Sequence, residues 1–449
     1  MICFNKKVAL ILPVILGLIG CQTGGHRSNT SQPPNVLDAY ADMAWDKYNR
    51  ALADAINLQK AIDSLATNPK SENLTAAKSA WLLARESYGV TEIYRLSNGP
   101  IDADEGWIAD AYGALEGQIN AWPLDENMID YTIDENGART SGNIIDTAGI
   151  FNPGGDDAKA IDTSLITPRT LAELNENGGD ANVASGYHAI EFLLWGQDQD
   201  YTDFGEDSIT HGALTAGQRP LRDFTVAPHA KRRLQYLRAA SKLLVDDLKT
   251  VTHAWNPEVS SDCGRNATGC YRAALLGRLE GADVGKNIQK SVALRQIIAG
   301  MGVFIKSELA NERIAVAVLT PSEEDEHSCF SDNTHRDITL NYQGFVNVLK
   351  SEFDGKSYGS SLYASAAHDT RIQLDSLIQK INTRVANMNI LAAGKWHFDY
   401  QIRPGHNDRE IREMKDDMRR LGDMMINVAG DIGLGLTTAD VTDSEETPI

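Results

Sequence analysis

The clearest candidates for chemistry are a histidine and a glutamate one helical turn apart, His188 and Glu191. They lie in the segment 184–196, ASGYHAIEFLLWG, which is apolar almost all round and is predicted to form a buried helix. Residues at i and i+3 share a helix face, so an imidazole and a carboxylate can hold one metal ion there. The alternative is a structural His–Glu pair, because a buried carboxylate must be paired, metal-bound or protonated.

The elements that position these side chains are predicted to be helices. Between positions 37 and 65, apolar residues recur every three or four positions along one helix: Leu37, Ala41, Ala44, Tyr48, Ala51, Ala55, Leu58, Ile62 and Leu65. Further helices are predicted over about 73–97, 228–255, 286–319, 334–353, 367–393 and 408–430. Long helices with such stripes pack as antiparallel bundles, so we predict an all-α fold of two antiparallel helical bundles.

The boundary between the bundles is predicted at a polar connector that contains Gly and Pro, residues 198–225. We place an N-terminal bundle at 36–215 and a C-terminal bundle at 226–437. The stretch 122–180 is irregular and rich in Asp, Asn and Gly, and it interrupts the first bundle as a long excursion.

The first residues are predicted to be a targeting signal. Residues 1–20 carry a basic start and a short apolar run, and Gly20-Cys21 at its end resembles a bacterial lipoprotein box. Residues 21–35 are polar and rich in Gly, Ser and Pro, the composition of a flexible tether. We therefore expect a cell-envelope protein held by a lipid on Cys21. Gln22, rather than Asp, favours the outer membrane.

The charge limits the partners. The 449 residues carry 42 basic and 62 acidic side chains, a net charge of −20 that becomes −22 when residues 1–20 are removed. Such an acid excess argues against nucleic acid and against electrostatic docking on anionic lipid. Contact with a membrane is expected only through the lipid anchor.

The cysteines suggest a disulfide rather than a metal knuckle. Cys263 and Cys270 flank six small or polar residues and are candidates for a local disulfide in an exported protein. Pairing of either with Cys329 is the alternative. No CxxC occurs, so neither a redox motif nor a zinc knuckle is indicated.

Several sequence blocks resemble one known family. Gly186 to Glu191, GYHAIE, matches the GxHxxE motif of the imelysin family, in the branch of iron-regulated protein A-like lipoproteins. Other similar blocks are Trp81–Arg85, Asn98–Asp102, Asn120–Leu124, Ser307–Arg313 and Ser322–His335. The resemblance implies two helical bundles with a ligand site in the cleft between them. It also implies iron or haem acquisition, or binding of another ligand, at the cell envelope.

Glu92 is the best local candidate for a third metal ligand beside His188 and Glu191. It precedes the Gly99-Pro100 break on the predicted helix. Asp102 and Asp104 lie just past that break and are predicted to line the cleft. One histidine with two or three carboxylates suits iron or zinc. The alternative role of Glu92 is a salt bridge to one of two nearby arginines, Arg85 or Arg95.

Two other segments are predicted to line the cleft. In 322–335, Glu324 and His327 lie one turn apart, followed by Ser331, Asp332 and His335. The alternative is that the polar residues of this segment only cap two short helices. On the helix 286–319, Glu308 and Glu312 share a face, and Arg313 can relieve their repulsion or bind an anion.

The function expected from these patterns is binding of a metal ion or iron source by an envelope lipoprotein. The first alternative is an imelysin-like, metal-dependent peptidase. That activity needs an open coordination position, a water and a general base, and the HxxE pair supplies at most two ligands. The second alternative is a polysaccharide- or protein-binding module with a purely structural His188–Glu191 pair.

Overall fold

The computed structural model describes residues 35–134, 136–198, 216–319 and 326–444. Within these ranges the protein is all-α, which confirms the predicted fold class, and the described residues belong to one compact unit. The predicted signal peptide, Cys21 and all but the last residue of the predicted tether lie outside these ranges, as does Glu324. Among the helices described, none combines the length and the apolar character needed to cross a bilayer.

Sixteen α-helices occur in the described residues. They are α1 Val36–Thr67, α2 Ser71–Gly89, α3 Gly106–Tyr112, α4 Glu116–Asn120, α5 Glu126–Ile129, α6 Pro168–Leu174, α7 Gly186–Trp195, α8 Ala230–Ala254, α9 Cys270–Leu275, α10 Lys290–Val303, α11 Val316–Leu319, α12 Thr334–Lys350, α13 Leu362–Ser365, α14 His368–Gly394, α15 Phe398–Ile402 and α16 Asp408–Asp431.

Shorter elements connect these helices. A π-helix spans Phe304–Ala315, and 3₁₀ turns occupy Glu92–Tyr94, Leu221–Phe224, Gly281–Lys286, Cys329–Ser331 and Thr438–Val441. Two small antiparallel pairs complete the described structure: β1 Ile150–Phe151 with β2 Ile161–Asp162, and β3 Glu352–Phe353 with β4 Lys356–Ser357.

The first helices pack as the hydrophobic stripe predicts. Asn35 caps α1 by accepting a hydrogen bond from the backbone N–H of Leu37 at 2.9 Å. All nine stripe positions between Leu37 and Leu65 are buried, and they face α2 and α8. Helix α7 packs against both α2 and α8, so its side chains are enclosed by the bundle core.

A second group of helices surrounds α16, which packs against α10, the π-helix and α14. Helix α12 joins the two groups, because it contacts α2 on one side and the π-helix and α14 on the other. The 3₁₀ turn Glu92–Tyr94 contacts both α10 and α12. Glu92 therefore lies where the two groups meet.

Two predicted helices end or change earlier than expected. The helix predicted over 73–97 ends at Gly89, where a Cβ would lie 2.8 Å from Cβ of Leu340. This close approach of α12 requires a glycine there. The helix predicted over 286–319 divides into α10, the π-helix and α11.

The proposed division into 36–215 and 226–437 stays a prediction. The contacts place α8, which begins at Ala230, along α1 and α7 rather than among the helices around α16. Helix α8 therefore belongs with the first group of helices.

The disulfide joins Cys263 to Cys270, with an Sγ–Sγ distance of 2.07 Å. Cys329 is a buried free thiol. The short loop, rather than a link to Cys329, is therefore closed by the covalent bond.

Candidate functional site

The position of α7 is set by the glycine that opens the GxHxxE segment. Gly186 has φ +82°, and a Cβ on it would lie 2.5 Å from the carbonyl oxygen of Ile119. Only glycine fits such a backbone conformation and contact. Ser185 adds a hydrogen bond from its hydroxyl to the Gln118 carbonyl at 2.9 Å. Helix α7 is thereby fixed against the end of α4, which places His188 beside the loop that follows α4.

His188 and Glu191 form a buried pair on one face of α7. The Nδ1 of His188 lies 2.9 Å from Oε2 of Glu191, and both side chains are fully buried. The other oxygen of Glu191 accepts hydrogen bonds from the N–H and the hydroxyl of Ser331, at 3.0 and 2.6 Å. Nε2 of His188 is buried and has no hydrogen-bond partner within the described part of the chain.

Burial determines how this pair is charged. It lowers the pKa of His188 well below its usual value, and the nearby His327 lowers it further. Burial also raises the pKa of Glu191 well above its usual value, although the two bonds from Ser331 act in the opposite direction. His188 is consequently an uncharged imidazole at neutral pH, and its 2.9 Å contact with Glu191 is a hydrogen bond that contains one proton.

A second histidine lies against the first. The rings of His188 and His327 are 4.5 Å apart between centroids and nearly perpendicular. Nδ1 of His327 lies 2.9 Å from Oδ2 of Asp337, which also accepts a hydrogen bond from the Ser328 hydroxyl. Trp122 packs beside both imidazoles, at centroid distances of 5.2 and 6.3 Å. Each imidazole is therefore oriented through Nδ1 by a carboxyl group.

A cleft of about 310 Å³ leads to this pair. Trp122 and His327 line it, and His188 lies directly behind them. Its charged lining residues are Arg95, Glu116, Glu176, Asp180, Glu308, Glu312 and Arg313. Five carboxyl groups against two guanidinium groups give the lining an excess of negative charge. The cleft is therefore suited to a cation more than to an anion.

Glu92 lies in a different environment from Glu191. Its Oε2 is 2.7 Å from Nη2 of Arg313 and accepts from Asn120 at 3.2 Å. Its Oε1 accepts from Asn341 at 3.1 Å and lies 3.6 Å from Nη2 of Arg85. Burial raises the pKa of Glu92, but the positive charges of Arg313 and Arg85 outweigh burial and bring this pKa below its usual value. Both carboxylate oxygens are thus engaged by cations and amides.

The three predicted ligands do not converge into one group. Among the described residues, ligand atoms from three residues lie within 4.8 Å of one another only at Asp332, His397 and Asp399. Of the two roles considered for Glu92, the structure shows the salt bridge, with Arg85 and also with the more distant Arg313. A ligand role for Glu92 stays a prediction.

The π-helix explains the contact between Glu308 and Arg313. Residues five apart come into line where hydrogen bonds run from i to i+5, and Nη2 of Arg313 lies 2.9 Å from Oε1 of Glu308. Arg95 also reaches this oxygen, at 2.8 Å. Burial raises the pKa of Glu308, but Arg95 and Arg313 together lower it to about 2. Arg313 therefore binds a carboxylate of its own helix.

The other residues predicted to line the cleft occupy various positions. Asp102 accepts the backbone N–H groups of Leu96 and Gly99 and so closes the turn before it, and Asp104 is exposed. Ser331 binds Glu191, whereas Asp332 lies 2.8 Å from His397. His335 Nδ1 is 3.1 Å from the Asp332 carbonyl oxygen.

Several residues of this site were not predicted from the sequence. They are Asn120, Trp122, Asp337 and Asn341. The first two lie in sequence blocks that resemble the imelysin family, which is the signal that could have identified them. Asp337 and Asn341 are spaced i and i+4 on α12 and carry no local sequence signal. Their partners Arg85 and Glu92 lie more than 200 positions away. Their nearer partners are His327, Ser328 and Arg313.

Comparisons with known proteins agree with this architecture. The family model described as imelysin, a peptidase family, matches residues 44–422, which is most of the chain. A crystal structure named as an iron-regulated protein A precursor from Parabacteroides distasonis is similar, with a TM-score of 0.59 and 16% sequence identity. The similarity covers 90% of this chain and 97% of that one. The comparison with curated proteins gives no significant match. The extent of the family match shows that this chain belongs to the imelysin family.

Proposed function

We propose that this protein binds a metal ion at His188, at the inner end of the acidic cleft, while a lipid on Cys21 anchors it to the cell envelope. The observation that carries the proposal is the pairing of His188. Its Nδ1 is taken by Glu191, and its buried Nε2 has no hydrogen-bond partner among the described residues. A histidine that binds a metal through one nitrogen commonly donates the other to a carboxylate, which fixes the ring.

The donor set around this atom fits a transition metal. His327 is oriented in the same way by Asp337 and lies in ring contact with His188. Imidazole nitrogens suit zinc and iron, which are borderline in softness. Glu191 and Asp337 would act as the groups that hold the two imidazoles in place, so the proposed ligands are His188 and His327. A bound ion would supply Lewis acidity at the end of the cleft.

The cleft charge favours a bare or hydrated cation over an anionic iron chelate. Five carboxyl groups and two arginines line it, and both arginines already contact Glu308. Iron is the metal we favour, because the similar structure is named as an iron-regulated protein A precursor. A lipid anchor would keep such a binding protein where metal ions enter the cell envelope.

Binding is favoured over peptidase chemistry by the state of Glu191. A peptidase of this type needs a general base within reach of a metal-bound water. Both oxygens of Glu191 are engaged, one by His188 and one by Ser331. The carboxyl group closest to His188 is therefore used to orient the imidazole.

The test is metal titration of the purified protein under anaerobic conditions, with Fe²⁺ and with Zn²⁺, against a competing chelator. We expect His188→Ala to bind one equivalent fewer, or to bind at least about tenfold more weakly. His253→Ala, which changes an exposed histidine, is the matched control and should behave as the parent. Identical affinity and stoichiometry in the parent and in His188→Ala would contradict the proposal.

A further inference from the structure

A second group of side chains, outside the His188 pair, brings three metal-type ligands together. Nδ1 of His397 lies 2.8 Å from Oδ2 of Asp332, and a carboxylate oxygen of Asp399 completes a set within 4.8 Å. Asp399 is only 4% exposed. The side chains of His397 and Asp332 are 15% and 12% exposed, so the group is sheltered yet open to a small ion.

We propose that Asp332, His397 and Asp399 form a binding site for a divalent transition-metal ion, separate from the site at His188. Two carboxylates and one imidazole are the ligand set of ions between hard and borderline, such as Mn²⁺ and Fe²⁺. Neighbouring ligands of one ion, each about 2.1 Å from it, lie about 3 Å apart. The 2.8 Å contact between His397 and Asp332 has this spacing.

The contact between His397 and Asp332 is compatible with an ion at this place. An imidazole nitrogen 2.8 Å from a carboxylate oxygen requires a positive centre between them, either a proton or a metal ion. A divalent cation placed among the three ligand atoms, which all lie within 4.8 Å of one another, would contact all of them at once.

The backbone holds the ligands from two directions. Asp332 adopts a left-handed conformation, φ +57°, at the end of the 3₁₀ turn Cys329–Ser331. His397 and Asp399 lie at the start of α15, which packs against α11, α14 and α16. Trp396 stacks on His406 at 4.4 Å and fixes the entry to α15. The two segments belong to different parts of the chain, and the site is formed where they meet.

The site is also adjacent in sequence to a residue that supports the His188 pair. Ser331, which donates twice to Glu191, is the residue directly before Asp332. An ion on Asp332 would therefore hold the segment that supports Glu191. The two sites remain distinct, because they share no ligand.

The experiment is Mn²⁺ binding to the purified protein, followed by electron paramagnetic resonance and by nitrogen modulation of the spin echo. It is done in a His188→Ala background, so that failure of the His188 site and failure of this one are separable. We expect Mn²⁺ to bind with one imidazole nitrogen coupled to it. Asp399→Asn and His397→Gln should each weaken binding by about tenfold or more, and His397→Gln should remove the nitrogen signal.

The matched control is His229→Ala. It changes another histidine near an aspartate, 3.7 Å from Asp146, without a third ligand, and should leave Mn²⁺ binding unchanged. Circular dichroism checks that each variant folds. No Mn²⁺ binding at millimolar concentration, no nitrogen coupling, or coupling that persists in a folded His397→Gln variant would each overturn the proposal. If both variants unfold, the nitrogen signal with intact ligands decides.

Discussion

Two buried glutamates of this protein, Glu92 and Glu191, were both predicted from the sequence as metal ligands, but their side chains have different partners. Glu92 lies between Arg313 and Arg85, and its pKa is lowered. Glu191 receives its hydrogen bonds from a serine and shares one with a histidine, and its pKa is raised. One carboxylate is held as an anion by fixed cations, and the other has no fixed cation in contact among the described residues.

This difference separates structural carboxylates from those available to a ligand. A buried carboxylate with two guanidinium partners is compensated within the fold, and an incoming metal ion would have to displace them. Around Glu191 and His188 no fixed cation is in contact among the described residues, so a metal ion on Nε2 of His188 would displace no ion pair there.

The largest expected effect concerns Glu92. Glu92→Gln leaves Arg313 and Arg85 buried with less negative charge around them, and removal of one partner of a buried pair costs about 3–5 kcal/mol. Glu191→Gln removes a charge that burial already disfavours, and we expect a change within about 1 kcal/mol. Urea unfolding of both variants measures the difference. Equal losses would show that the two environments do not differ as the structure indicates.

The next effect is a pH dependence that arises at Glu308. Arg95 and Arg313 lower the pKa of Glu308 from 4.5 to about 2 in the folded protein. A lowered folded pKa stabilises the protein fully above pH 4.5, and this contribution is lost as the pH falls towards 2. At most about 3 kcal/mol is involved. The unfolding free energy, measured between pH 6 and pH 2.5, should depend less on pH in Glu308→Gln.

The control for this pH series is Glu312→Gln, on the exposed side of the same π-helix. It should keep the parent's dependence on pH. A Glu308→Gln variant with an unchanged slope would remove the two arginines as the cause.

A smaller effect is expected for metal affinity in Glu191→Gln. The glutamine amide donates a hydrogen bond to Nδ1 of His188, which moves the imidazole proton to Nε2 and removes its lone pair. Affinity should fall about 10- to 100-fold, as for other groups that orient a metal-binding histidine. Chelator competition measures it, with the exposed Glu258→Gln, outside the cleft lining, as the reference. Unchanged affinity would show that Glu191 does not set the tautomer.

The smallest effect is expected at Asp104, an exposed carboxylate that was predicted from the sequence to line the cleft. Asp104→Asn should change stability by no more than about 0.5 kcal/mol. Metal affinity should also stay as in the parent, in contrast to Glu191→Gln. A clear loss of metal binding would place Asp104 in the functional site after all.

The local sequence pattern was sufficient to predict most of the helices and the pairing of His188 with Glu191. The stripe from Leu37 to Leu65 follows the helical period, and every one of its positions is buried. His188 and Glu191 meet because residues at i and i+3 share a helix face. The end of α2 at Gly89 was not predicted, and the glycine there is required by a contact with Leu340, 251 positions later.

The sequence by itself determined the all-α class, the family and the His188–Glu191 pair, since these depend on short-range periodicity and on a local motif. Only the tertiary structure decided which buried carboxylates have a cationic partner. Arg313 reaches Glu92, and His327 reaches His188, across more than 100 residues of chain. Spacing along a helix fixes which residues share a face, but the charges opposite that face come from elements that folding alone brings together.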